Sequence, residues 1–131
     1  MLTHLHIRNL AVIEELEIGF GPGMSVFTGE TGAGKSIIVE ALGLVLGDRA
    51  DNSVIRADAD SAEITAIFSV DRDDHDVSTR LEEHGIAPEQ EELILRRVIN
   101  RDGRSRAWAN GSPIPIQVLR ELGEGMVDIH G

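Results

Sequence analysis

The stretch Gly29-Glu30-Thr31-Gly32-Ala33-Gly34-Lys35-Ser36 decides how this sequence is read. It fits G-x-x-x-x-G-K-[ST], the pattern of a phosphate-cradling loop. The glycines allow a backbone path that a Cβ would block, so successive N–H groups converge into an anion nest. A helix opening at the end of the loop adds its partial positive terminus. In this chemistry the Lys35 ammonium reaches the β- and γ-phosphates of a nucleotide, and the Ser36 hydroxyl ligates Mg²⁺. Chance would produce the pattern in roughly one chain of this length in several hundred, given average glycine usage of about 7%.

The flanking sequence supplies the context the motif requires. Before the loop, Met24 to Thr28 reads as a short strand; after it, Lys35 to Leu46 reads as a helix stopped by Gly47. That helix is apolar on most faces, so coverage by sheet on more than one side is expected. Further out, Thr3, Leu5 and Ile7 alternate with polar neighbours, as do Leu16, Ile18 and Phe20, giving two strands. Ala62, Ile64, Ala66, Phe68 and Val70 alternate again. Val77 to His84 reads as a short helix closed by Gly85. Glu92 to Asn100 is a strand with Leu93, Leu95, Arg97 and Ile99 on one face, and Asp102-Gly103 and Asn110-Gly111 are hairpin turns, which makes an antiparallel meander. Pro115 to Leu122 fits a helix with proline in its first turn, and Met126, Val127 and Ile129 suggest a last strand. The expected fold class is therefore α/β, with a mixed sheet around the loop helix plus the meander.

Composition narrows the chemistry. The 131 residues carry 12 Lys+Arg against 23 Asp+Glu, a formal charge of −11, which disfavours a nucleic-acid binder held by its overall field. With no cysteine there is no disulfide, thiolate metal site or Cys nucleophile. Lys35 is the only lysine among the 12 basic residues. That fits a phosphate loop, where a compact ammonium enters more easily than a guanidinium fork. Residues 58–92 hold twelve acids and two bases, whereas residues 96–106 hold Arg96, Arg97, Arg101, Arg104 and Arg106 against Asp102. The basic run reads as a solvated hairpin pairing with the acidic segment, with contact to DNA phosphates as the competing reading. His4, His6, His75, His84 and His130 read as surface residues, and Trp108 as a packing residue. No stretch has the length or apolarity of a membrane span or a signal peptide, so a cytoplasmic location is expected.

Four stretches together resemble the N-terminal part of the RecN family of bacterial DNA-repair ATPases, in the SMC/ABC class. They are Leu5-His6-Ile7-Arg8-Asn9-Leu10-Ala11-Val12-Ile13; the loop Gly29 to Ser36 with Ile37; Gly103-Arg104-Ser105-Arg106-Ala107 with Asn110-Gly111; and Leu119 to Gly123 leading to Val127-Asp128-Ile129-His130-Gly131. The resemblance implies the N-terminal lobe of a P-loop NTPase head over residues 1–131, with ATP and Mg²⁺ as cofactors. It implies that Arg8 and Asn9 lie near the base and ribose, and that Ile37 offers phosphate only its backbone N–H. It also implies partners: a C-terminal lobe with the Q-loop, signature and Walker B residues beyond a coiled coil, a second ATPase head, and DNA, in a nucleoid-associated protein. On this reading the chain binds ATP but hydrolyses little alone. The alternatives are a nucleotide-free interaction lobe of an SMC-like protein and, ranked last, a small phosphotransferase.

Overall fold

The computed structural model describes residues 2–20, 32–70, 79, 81–86 and 92–130; for 32–35 and 126–130 it describes the backbone only. The strand expected at 24–28 lies outside these residues. Six strands form one sheet: β1 (Leu2–Leu10), β2 (Ile13–Gly19), β3 (Ser61–Ser69), β4 (Glu92–Asn100), β5 (Ser105–Ala109) and β6 (Ser112–Ile114). Two longer helices, α1 (Gly32–Val45) and α2 (Ile116–His130), are described with a 3₁₀ turn over Asn52–Val54 and a short helical segment at 79 and 81–83. The sheet order is β2-β1-β3-β4-β5-β6, and every described pairing is antiparallel. Among the described residues the N-terminal strands and the meander thus form one continuous antiparallel sheet. β1 joins the two parts by pairing with β2 on one side and β3 on the other.

Period-2 alternation sets the two faces. One inner row runs Ile18, Leu5, Ala66, Leu95, Ala109, and the next runs Leu16, Ile7, Ile64, Arg97, Ala107. Apart from Leu16, which is partly buried, all of these are buried. The outer row alongside reads Glu17, His6, Thr65, Arg96, Trp108, Pro113. The helices therefore meet an apolar face whose mixed, half-exposed reverse carries the charges. β2 ends the sheet on one side with Glu14, Glu15 and Glu17; β6 ends it on the other with three residues including Pro113.

Helix α1 packs on β1, β3 and β4 through Ile38, Ala41, Leu44 and Val45. Its far side is open among the described residues, with Val39 69% exposed beside exposed Glu40. Coverage on more than one side, expected from its composition, is not what the described residues show: they cover one side of it. The helix ends where expected. Gly47 takes φ +107°, its N–H bonds Leu44 O at 3.1 Å and the Asp48 N–H bonds Gly43 O at 2.9 Å, the paired bonds of a Schellman cap.

Helix α2 begins just past Pro115, whose carbonyl accepts from Leu119 N at 3.1 Å. It continues through Met126-Val127-Asp128-Ile129 to His130, so the strand expected there is a helix. The reason lies in the spacing: Leu119, Leu122, Met126 and Ile129 recur at three and four residues, a helical period that runs across Gly123 and Gly125. Leu119 and Leu122 are buried against the sheet. The short helix expected near residues 77–84 is described at 79 and 81–83, with Leu81 buried and Gly85 at φ +69°.

Candidate functional site

The loop motif leads into α1. Gly29, Glu30 and Thr31 lie outside the described residues, while the backbone of Gly32, Ala33, Gly34 and Lys35 forms the first turn of the helix. The first four N–H groups of any α-helix lack an intrahelical acceptor, so these amides face the end of the helix where the loop arrives. Ser36 follows, exposed, and Ile37 is half-buried. This terminus, with the single ammonium of the chain and a hydroxyl one residue later in sequence, is a donor set suited to polyphosphate and Mg²⁺.

Arg8 and Asn9 sit at the end of β1, before the turn to β2. Arg8 is exposed, with its Nε 3.8 Å from Glu15 on the paired strand; His6 Nε2 is 3.1 Å from the same carboxylate. Asn9 and Ala11 both take left-handed backbone (φ 55° and 52°). The turn is held from outside. Ala11 N donates to Val54 O at 2.7 Å and Arg56 N to Asn9 O at 2.9 Å, so the 52–56 segment is clasped to it. A 3₁₀ turn over Asn52–Val54 starts that segment, capped by the Asp51 carboxylate on Ser53 N at 2.8 Å. Bonds from the Ser53 hydroxyl and N–H hold the Asp51 carboxyl below its ordinary range. Val12 at the tip is 81% exposed.

The five arginines divide by role. Arg96 pairs with Glu63 at 2.7 Å and lies 4.6 Å over the Trp108 ring, so this residue does meet the acidic segment as expected. Arg104 and Arg106 are exposed. Arg101 ties a loop: its Nε donates to Ala59 O at 3.1 Å and its Nη2 to Arg56 O at 2.8 Å. Arg97 departs furthest from a solvated hairpin. It is 3% exposed on the inner face and donates through Nη1 to Leu44 O at 2.7 Å and to Asp48 O at 2.5 Å, and through Nη2 to Ser105 Oγ at 3.3 Å. Burial lowers its pKa from the ordinary value, with Asp48 opposing and Arg120 reinforcing, yet an arginine stays cationic throughout. Its place in the inward phase of β4 was readable in sequence; its partners in α1 and just past it, 53 and 49 residues away, were not.

Among the described residues no three His, Asp or Glu side chains converge as a metal site. His84 pairs with Glu121 of α2 at 3.0 Å. No described helix is long and apolar enough to cross a membrane.

Residues 4–117 match the AAA domain family. Among curated proteins, the DNA repair protein RecN of Vibrio cholerae is 45% identical over 131 residues, covering all of this chain and 23% of the relative. The chain thus spans about a quarter of the length of such relatives. Among solved structures, one described for ATP-driven dimerization and DNA-stimulated activation of SMC ATPases superposes with a TM-score of 0.72 at 22% identity, covering 96% of this chain and 79% of that one. The SMC head domain from Thermotoga maritima gives 0.62 at 22% identity, over 92% and 41%. The fold is the N-terminal lobe of a P-loop NTPase head of the SMC kind.

Proposed function

The chain belongs to the AAA domain family, and we propose that it is the ATP-binding lobe of a RecN-like DNA-repair ATPase. The observation that carries this reading is the helix opening at Gly32, inside the loop motif, on the face of a sheet shared with SMC heads. ATP phosphates lie in the cradle of Gly29, Glu30, Thr31, Gly32, Ala33 and Gly34. The Lys35 ammonium offsets the β/γ charge, and the Ile37 N–H extends the nest. The Ser36 hydroxyl would hold Mg²⁺, which when bound would supply charge neutralisation to the phosphates. Arg8 and Asn9, at the end of β1, face the base and ribose, with Arg8 exchanging its loose Glu15 contact for the nucleotide.

Hydrolysis is assigned to the assembled head. The C-terminal lobe supplies the second carboxylate for Mg²⁺ and the residue that orients water, and a second head closes over the nucleotide. DNA and the second head are the partners of that assembly, in the cytoplasm at the nucleoid. The test is calorimetric titration of ATP into this chain and its Lys35→Ala variant. Loss of the charge-assisted bond weakens binding by about 1.5–3 kcal/mol. Equal affinities overturn the loop assignment, and no ATP binding, alone or with the C-terminal lobe added, returns the reading of a nucleotide-free interaction lobe.

A further inference from the structure

A helix carrying a phosphate loop at one end must be held in position along its whole length. The contacts of α1 with the sheet through Ile38, Ala41, Leu44 and Val45 are apolar, and apolar burial is non-directional. Such contacts resist separation but tolerate sliding and rotation. Directional contacts enter at the far end. Arg97 rises from the middle of the inner face, where its row neighbours are Ile64 and Ala107. Its Nη1 holds Leu44 O in the last turn of α1 and Asp48 O just beyond the cap. Arg120 of α2 reaches Gly47 O at 3.4 Å.

Stability alone is a weak reason for this arginine. Burying a guanidinium is costly, and its Nε has no partner among the described residues. Replacing buried charge by apolar side chains of similar volume is often neutral or stabilising. Position is a stronger reason. Two hydrogen bonds from one rigid fork to carbonyls on either side of the cap fix both the axial height and the rotation of the helix. The 14 residues of α1 form a rod about 21 Å long at 1.5 Å per residue, so what is fixed at Leu44 is fixed at Gly34. Direct electrostatics does not reach so far, since the screening length is about 8–10 Å at physiological salt.

We infer that Arg97 is a positioning residue for the nucleotide site, locking α1 at its C-terminal end so that its N-terminal amides and Lys35 meet the phosphates in register. The inference rests on the nucleotide reading above, and the experiment separates the two. ATP and inorganic tripolyphosphate are titrated into this chain, its Lys35→Ala variant and its Arg97→Met variant, well below their unfolding temperatures. Amide exchange is followed alongside. In Arg97→Met both ligands bind about tenfold more weakly, the scale on which groups supporting a binding residue act. Exchange quickens at Gly34 to Ile38 while Ile64 and Leu95 keep their protection. Arg97→Lys, with a donor and the charge retained, recovers part of both effects. Should Arg97→Met fail to fold, Arg97→Gln, uncharged and too short to reach both carbonyls, carries the same expected pattern. Unchanged affinity in the folded variant overturns the positioning role alone, as does exchange that quickens evenly throughout the sheet. No ligand binding by the unsubstituted chain overturns the nucleotide reading and this inference together.

Discussion

Replacing Gly123 by alanine tests how closely the two helices meet. A Cβ there falls 2.3 Å from Leu46 O, 2.9 Å from Leu46 Cβ and 3.0 Å from Leu46 C. A carbon beside a carbonyl oxygen sits comfortably at about 3.3–3.6 Å, so the helices must part by about 1 Å. The obstacle is backbone at the capped end of α1, with no free rotamer to swing away. Overpacking of this kind costs about 1–3 kcal/mol. The shift also draws Leu44 O and Asp48 O away from Arg97, and bonds to charged groups are each worth about 1.5–3 kcal/mol. Against this, alanine gains about 0.8–1 kcal/mol of helix propensity over glycine. The balance is a loss of about 1–3 kcal/mol. For a domain of this length that is roughly 3–12 °C in Tm, read from far-UV circular dichroism and checked by the urea midpoint. An unchanged or raised Tm would refute the close approach of α1 and α2, because propensity would then be the only effect acting.

Gly85→Ala is the comparison: its φ is +69° with nothing within 4 Å, so only the left-handed backbone is penalised, by about 1–2 kcal/mol. Asn110→Ala loses the Oδ1 acceptor of Ile94 N at 2.7 Å and a residue tolerant of φ 49°, costing about 1–3 kcal/mol in denaturant midpoint. The Asp51 cap has a definite pH sign. Its folded pKa lies below the ordinary 3.8, so its contribution is present above about pH 3.8 and is lost as pH falls through the folded value; Ser53→Ala should flatten that limb of the acid-unfolding curve. Arg104→Ala with Arg106→Ala, made in a DNA-binding assembly containing this lobe, should lower affinity and flatten its salt dependence if the hairpin meets phosphates; unchanged binding removes that role.

Much of the fold was legible because its signals are local. The alternation of Ala62 to Val70 and of Leu93 to Ile99 specified two strands and their inner face, and Asp102-Gly103 and Asn110-Gly111 specified the turns from β4 to β5 and from β5 to β6. Gly47 marked the end of α1. What failed depended on context. Gly123 and Gly125 looked like the end of a helix, yet Gly123 is there because Leu46 leaves no room for a side chain. The apolar composition of α1 suggested burial all round, while among the described residues Ile38, Ala41, Leu44 and Val45 are buried in the core, Ile37 and Leu42 are partly buried against it, and Val39 is exposed. Of the candidate site, the loop motif was legible from its own spacing. The tether at Arg97 was not, because a hydrogen bond across 53 residues leaves no trace in local pattern.

The two ends of the sheet limit how this lobe can meet anything else. A free strand edge is a template for another chain, and each end here discourages such use. Glu14, Glu15 and Glu17 place like charges along β2, so a second copy brought edge to edge meets its own acids. β6 offers three residues, one of them a proline without an N–H. Growth of the described sheet by strand addition is therefore disfavoured at β2 and at β6. The described surfaces that remain are the helical layer, where Val39 is exposed, and the charged reverse face around Arg96 and Trp108, and both offer side chains rather than unpaired backbone.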